Sequence, residues 1–173
     1  MHSIRRAPHV TRLVAIVWLL VALMLGGCAT GPAKPWHQFY FDGWFDQWAT
    51  TVDLLEYSYG DQYHMVHRTV RPGETTRGYG TNVNGPMPVG EFLYVKWRLK
   101  STGDVVDQRV DLRPLLPRDM KDHGLTFVID GRQLYVYLIT PQPKRVDEPP
   151  ILRTTMSRFT VTYEIFPTYT YKR

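Results

Sequence analysis

From Val52 onward, apolar and polar positions alternate with a period of two along most of the chain. This period is typical of β-strands, because successive side chains point to opposite faces of a sheet. The alternating runs are rich in β-branched and aromatic residues, and they end at Gly, Pro or Asp, which favour turns. Seven strands are therefore predicted, over VDLLEYSY, YHMVHRTV, EFLYVKWRL, VVDQRVDL, LTFVID, QLYVYLIT and RFTVTYEIF.

The connections between these runs indicate the fold class. Asp130-Gly131 suits a two-residue type I′ hairpin turn, and Gly60-Asp61 and Ser101–Gly103 mark two weaker hairpins. Only residues 115–123 could hold a helical turn. We therefore expect a mainly β protein, a largely antiparallel β-sandwich of about seven strands over residues 50–173.

Before the sandwich, residues 1–27 have the pattern of a secretory signal peptide. Three arginines and no acid precede an apolar block from Leu13 to Leu25, which is shorter than the about 20 residues that a bilayer-spanning helix needs. The following residues, Leu25-Gly26-Gly27-Cys28, resemble the bacterial lipobox, where cleavage leaves a lipid-modified cysteine at the N-terminus. A short membrane anchor with an incidental cysteine is the alternative. We expect a cleaved signal helix over residues 1–27 and lipidation at Cys28.

The residue after Cys28 bears on the destination of such a lipoprotein. Gram-negative bacteria generally retain lipoproteins in the inner membrane when Asp follows the cysteine, whereas this chain has Ala29. The resemblance therefore implies attachment through three acyl chains, palmitate among them, to the periplasmic face of the outer membrane. Each buried CH₂ stabilises attachment by about 0.8 kcal/mol, so three chains would make it effectively permanent.

An aromatic segment follows the short linker ATGPAKP. Trp36, Tyr40, Trp44 and Trp48 recur every four residues, which fits a helical stripe, although Gly43 weakens it. These rings either cover one end of the core or form an interfacial belt at the lipid headgroups. Residues 28–49 are accordingly assigned to the lipidated cysteine, the linker and this aromatic segment.

Charge and cysteine content narrow the function classes. Removal of residues 1–27 leaves 146 residues with 18 basic and 16 acidic side chains, enough for one domain. A net charge of +2 without a clustered basic face gives no support for nucleic-acid binding. Cys28 is the only cysteine, so no disulfide forms within the chain, and the domain folds by burying apolar side chains.

Histidines, serines and glycines that could carry chemistry have simpler structural interpretations. His64 and His67 would face opposite sides of a strand, so one metal ion could not readily take both. The glycines around residues 78–85 lack the strand–helix context and the lysine of a phosphate-binding loop. No serine stands in a G-x-S-x-G elbow; the serines considered are Ser58, Ser101 and Ser157.

Acidic and basic residues alternate between positions 104 and 122. A glycosidase pair of carboxylates could lie among them, with Asp107 and Asp111 as candidates. Alternating signs are more typical of screened surface ion pairs worth about 0–1 kcal/mol each. We therefore expect a protein that is not an enzyme and has no catalytic residues, no metal and no cofactor.

Two loops are candidate partner-binding surfaces, because rigid loops lose less entropy on association. The first, RGYGTNVNGPMPVG, offers Tyr79 and Asn82 on a glycine-rich turn. The second, TPQPKRVDEPPILR, is stiffened by four prolines. It offers the charged residues Lys144, Arg145, Asp147 and Glu148.

Residues 85–141 resemble a family of small proteobacterial lipoproteins, through the pieces VDLRPLLPRDM and GRQLYVYLI. Members are often encoded beside type VI secretion phospholipase effectors and are regarded as immunity proteins. The resemblance implies a lipid-anchored periplasmic protein that neutralises a toxin effector by binding it, and it transfers no catalytic residue. A structural lipoprotein of an envelope or secretion complex is the alternative, and an envelope enzyme or ligand carrier with an aromatic pocket is a third class.

Overall fold

The computed structural model describes residues 33–66, 80–151 and 153–172. The expected signal peptide, the lipidation site Cys28, and the residues His67 and Tyr79 lie outside the described residues. Within the described ranges, no helix combines the length and the apolar character needed to cross a membrane.

Strands dominate the described part of the chain, and two single-turn 3₁₀ helices occur at Trp48–Thr50 and Thr155–Arg158. The strands are β1 (Trp36–Asp42), β2 (Val52–Tyr59), β3 (Tyr63–Val66), β4 (Gly80–Pro86), β5 (Phe92–Leu99), β6 (Val105–Asp111), β7 (Gly124–Asp130), β8 (Gln133–Pro143) and β9 (Thr160–Phe166).

These strands form two sheets, as expected for a mainly β sandwich. The larger sheet has the order β4-β1-β7-β8-β9, and the smaller has the order β3-β2-β5-β6. All pairs are antiparallel except β1 and β7, which run parallel with Tyr40 opposite Thr126. A parallel pair needs a long crossover connection, and here all four strands of the smaller sheet lie in the chain between β1 and β7.

The inward faces of the two sheets meet in one aromatic core. Phe39 of β1 stacks on Tyr59 of β2 with ring centroids 4.8 Å apart, and Phe41 meets Tyr57 edge-on, also at 4.8 Å. Phe127 of β7 lies 4.6 Å from Phe41. Each such pair contributes about 0.5–1.5 kcal/mol beyond its buried area, so this cluster holds the sheets face to face.

All seven predicted strands are present, although the second is described only as far as Val66. β5 follows the alternation of its sequence most closely, since Leu93, Val95 and Trp97 are fully buried while the residues between them are partly exposed. The Trp97 indole N–H donates a hydrogen bond of 2.8 Å to the carbonyl oxygen of Gly131. This bond attaches the smaller sheet to the β7–β8 hairpin.

β1 was not predicted, and the helical stripe expected there is wrong. The hydrophobic period is two, so Phe39 and Phe41 point into the core. Trp48 is buried beyond the strand, whereas Trp36 and Trp44 are about half exposed at its opposite ends. The rings therefore form neither one stripe nor one belt. β1 is part of the five-stranded sheet, although the sandwich was expected to start at residue 50.

β4 was also not predicted, because its sequence GTNVNGP is made largely of turn-forming residues. The glycine-rich stretch interpreted as a loop around Asn82 is in part an edge strand, with Asn82 opposite Tyr40 of β1. Pairing with β1 supplies the backbone hydrogen bonds that local propensity does not favour.

The turns largely follow the sequence. Gly60 and Gly103 adopt positive φ in their hairpins, at 58° and 78°. The β7–β8 loop is shifted by one residue, because Asp130 pairs with Gln133 and the two loop residues are 131–132. Residues 115–123 form hydrogen-bonded turns and contain no helix.

Candidate binding groove

A cavity lies on the outer face of the five-stranded sheet, where β1 meets β4. It has a volume of about 570 Å³ and is lined by β1, β4 and the loop after β1. Because Phe39 and Phe41 take the inward positions of β1, the alternate residues Gln38, Tyr40 and Asp42 face outward into this cavity.

Hydrogen bonds from backbone N–H groups of residues 43–47 to Asp42 hold this loop in place. Asp42 Oδ1 accepts from the backbone N–H groups of Trp44, at 3.0 Å, and Phe45, at 2.8 Å. The N–H of Asp46 donates to the Asp42 carbonyl oxygen at 3.0 Å. Phe45 nevertheless keeps its side chain 65% exposed. A large aromatic side chain that a hydrogen-bonded loop presents to solvent is the kind of anchor that protein interfaces use.

Gly43 explains how the loop can lie so close to the core. A Cβ atom built on Gly43 would lie 2.8 Å from two carbons of the Trp48 ring. The indole therefore packs against the backbone of this loop, and any side chain at position 43 would push the two apart.

A second, smaller cavity of about 210 Å³ continues the first one, because Phe45 and Asp46 lie in the walls of both. Its other wall includes Ile151 of the proline-rich segment, residues 140–153, and Arg158 in the 3₁₀ helix that follows. We call the two cavities together the outer groove. Asn82 and the proline-rich segment lie on opposite sides of the loop at residues 43–47.

Internal contacts hold the proline-rich segment against the outer face of the sheet. The guanidinium of Arg153 lies 4.1 Å from the centroid of the Tyr135 ring and 3.7 Å from Asp130. The Ser157 hydroxyl lies 2.9 Å from the carbonyl oxygen of Ile151, to which it can donate. This wall of the outer groove is therefore preorganised.

Two hydroxyl groups beside the groove have no hydrogen-bond partner among the described residues, those of Tyr40 and Thr126. They lie on the same face, because Tyr40 and Thr126 are register partners across β1 and β7. Burial, reinforced by the Asp46 carboxylate, raises the pKa of Tyr40 well above its usual value, so its hydroxyl stays protonated. The Tyr40 hydroxyl is therefore a buried, protonated donor below the surface of the groove, near the Asp46 carboxylate.

The charged residues predicted on the second loop do not line the groove. Lys144 is partly buried, and its Nζ donates to the carbonyl oxygen of Ser157 at 2.8 Å, which fastens the end of β8. Arg145 and Asp147 form an exposed ion pair at 3.2 Å, and Glu148 is exposed beside them. Of the sequence-predicted binding residues that the structure describes, Asn82 alone lies in the groove wall.

A constellation that sequence reasoning missed lies on the outer face of the smaller sheet. Ser58 Oγ is 2.6 Å from His64 Nδ1, and His64 Nε2 is 3.6 Å from Glu56 Oε1. The β2–β3 register places Ser58 directly opposite His64, a signal that the hairpin at Gly60 could have provided. β2 has a paired strand on both sides, so ladder bonds occupy its backbone N–H groups, which could otherwise stabilise an oxyanion. We interpret the constellation as a cross-strand polar pair beside a carboxylate.

The alternating charges at residues 104–122 form exposed ion pairs. Arg113 Nη2 lies 2.7 Å from Asp111 Oδ2, and this hydrogen-bonded partner lowers the pKa of Asp111. Asp104 pairs with Arg132 at 3.0 Å. Among the described residues, no group of three or more His, Cys, Asp or Glu could hold a metal ion.

Comparison of the chain with protein-family models, with curated proteins and with solved structures finds no match. The functional interpretation of the outer groove therefore depends on its own geometry.

Proposed function

We propose that this protein is a lipid-anchored binding protein of the bacterial envelope, an immunity lipoprotein that neutralises a phospholipase-type effector of type VI secretion. The observation that carries the binding role is the outer groove. There the 65% exposed ring of Phe45 stands between two cavities on a loop fixed by hydrogen bonds. Such a preorganised surface binds without first paying an ordering cost.

The envelope location rests on the N-terminal sequence. The basic and apolar residues before Leu25-Gly26-Gly27-Cys28 support export and lipidation, and Ala29 favours the outer membrane. Confinement to the membrane surface raises the effective concentration of the protein where an incoming effector would act.

Neutralisation in this proposal needs binding alone. The ring of Phe45 enters an apolar site on the effector, while Asn82 supplies a polar contact at the rim. A phospholipase presents an apolar entrance to its active site, because its substrates carry acyl chains. If the loop that carries Phe45 occupies that entrance, the lipid substrate cannot enter.

The test is an affinity measurement between the full-length lipidated protein in detergent and the effector encoded beside its gene. Phe45→Ala is expected to weaken binding at least about tenfold, as for an interface anchor. Val105→Ala is the matched control, because Val105 is 48% exposed on the other sheet. The double variant Arg145→Glu with Glu148→Lys tests the proline-rich loop separately.

Equal affinity of wild type and Phe45→Ala would move the interface away from the outer groove. If no effector binds, and deletion of the gene instead stops assembly of a secretion complex, the structural-lipoprotein alternative replaces immunity.

A further inference from the structure

β4 is an edge strand of the five-stranded sheet, and β1 is its only strand partner among the described residues. Its sequence GTNVNGP contains no charged side chain. An uncharged edge presents free backbone N–H and C=O groups to any other extended chain, which is why most proteins protect such edges.

Two of the other edge strands in the described part of the chain, β6 and β9, are protected against pairing with another chain. β6 carries the charged residues Asp107, Arg109 and Asp111. The chain after β9 folds back, and the N–H of Thr170 donates to the carbonyl oxygen of Glu164 at 2.8 Å. The remaining edge strand, β3, is described only over Tyr63–Val66. β4 differs from β6 and β9 because its seven residues carry no charge.

The backbone geometry of β4 identifies which groups face the open side. The N–H of Met87 points to β1, since it donates to the Pro35 carbonyl oxygen at 3.4 Å. In an antiparallel ladder the N–H and C=O groups of one residue point to the same side, and alternate residues point to opposite sides. Those of Asn82 and Asn84 therefore face outward, and Pro86, which has no N–H, occupies an open-edge position that proline tolerates.

Asn82 and Asn84 lie on either side of Val83, so the three central residues of β4 read alike in both directions. We propose that two copies of this protein associate through β4, in an antiparallel pair centred on Val83. In that register each Asn82 lies opposite Asn84 of the second copy, and their outward N–H and C=O groups form about four backbone hydrogen bonds.

A second copy is the occupant because the strand is complementary to itself. Like charges that would repel in a symmetric pair are missing from β4, and asparagine side chains can donate to and accept from one another. The contact is isologous and closes with two copies, giving one continuous sheet across the pair. This inference stands apart from the proposed function, since it requires neither an effector nor the lipid.

Disulfide trapping tests the register in the full-length protein. Val83→Cys is expected to form a covalent dimer under mild oxidation, because opposite residues of a non-hydrogen-bonded antiparallel pair have their Cα atoms about 4.5 Å apart. The controls are Val105→Cys on β6 and the wild-type protein, whose only cysteine is Cys28. Neither control should form a cross-linked dimer. Equal cross-linking of Val83→Cys and Val105→Cys would overturn the proposal.

A charge exchange tests the pairing without relying on loss of function. Asn82→Lys with Asn84→Lys, and Asn82→Asp with Asn84→Asp, should each be monomeric by light scattering in detergent, because like charges then face each other. An equimolar mixture of the two variants should form a dimer. A wild-type protein that is monomeric by light scattering overturns the proposal, even if its β4 pairs with an effector. A mixture that fails to associate, while both variants retain the circular dichroism of the wild type, also overturns it.

Discussion

The Nε2 atom of His37 lies 2.9 Å from the hydroxyl oxygen of Tyr59 in the protein interior. The Nδ1 atom lies 2.9 Å from the carbonyl oxygen of Pro35, which can only accept, so Nδ1 carries the proton and Nε2 accepts from the Tyr59 hydroxyl. The backbone of Gly90 packs against the Tyr59 ring, because a Cβ atom built on Gly90 would lie 2.6 Å from two of the ring carbons. This network ties the start of β1 to the end of β2 and to the segment before β5.

Tyr59→Phe is expected to lower the free energy of unfolding by about 1–3 kcal/mol, because it leaves His37 Nε2 buried without its partner. Urea denaturation followed by tryptophan fluorescence measures the change. Tyr169→Phe is the control, since Tyr169 is 45% exposed, and should change stability by less than about 0.5 kcal/mol. Equal effects of the two substitutions would mean that the network contributes no stability.

Acid should destabilise the fold through His37. Burial lowers the pKa of His37 below its ordinary value of 6.5, so the unfolded chain binds a proton more readily than the folded one. The stability contributed by the neutral ring is therefore fully present above pH 6.5 and is lost as the pH falls through the lowered folded-state pKa. Unfolding free energies at a series of pH values should fall more steeply for wild type than for His37→Leu. Parallel curves for the two proteins would contradict this assignment.

Gly43→Ala is expected to destabilise the protein by about 1–3 kcal/mol, because the new methyl group would lie 2.8 Å from the Trp48 ring. Gly80→Ala serves as the control, since its nearest contact would be an ordinary 3.5 Å. Thermal unfolding compares the two. A variant as stable as wild type would show that the Trp48 ring moves freely away from the new methyl group. If Gly43→Ala also displaces the loop that carries Phe45, the affinity for the effector should fall as well.

Cys28→Ser is expected to abolish lipid attachment, because a serine oxygen does not replace the thiol that takes the diacylglycerol. Incorporation of labelled palmitate measures the attachment, and equal labelling of wild type and variant would rule out Cys28 as the site. Density-gradient fractionation of the wild type tests Ala29 separately. The protein should accompany outer-membrane markers, and recovery with inner-membrane markers would contradict the sorting prediction.

The candidate site could be predicted only in pieces. Asn82 and the proline-rich segment were identified as surface features, and both border the outer groove. Phe45 was missed as an individual residue, because an aromatic residue between other aromatics carries no sequence signal for exposure. The hydrogen bonds from Trp44 and Phe45 to Asp42 decide that exposure, and they appear only when the turn is formed.

The sequence by itself determined where seven of the strands lie and which face β5 buries, because a period of two follows from the geometry of each strand alone. Leu93, Val95 and Trp97 could be assigned to the core without knowing their neighbours. Only the tertiary structure decided that residues 36–42 and 80–86 are strands and that β1 lies between β4 and β7. Those pairings join residues at least 38 positions apart, and the backbone hydrogen bonds that stabilise them exist only after the chain has brought the strands together.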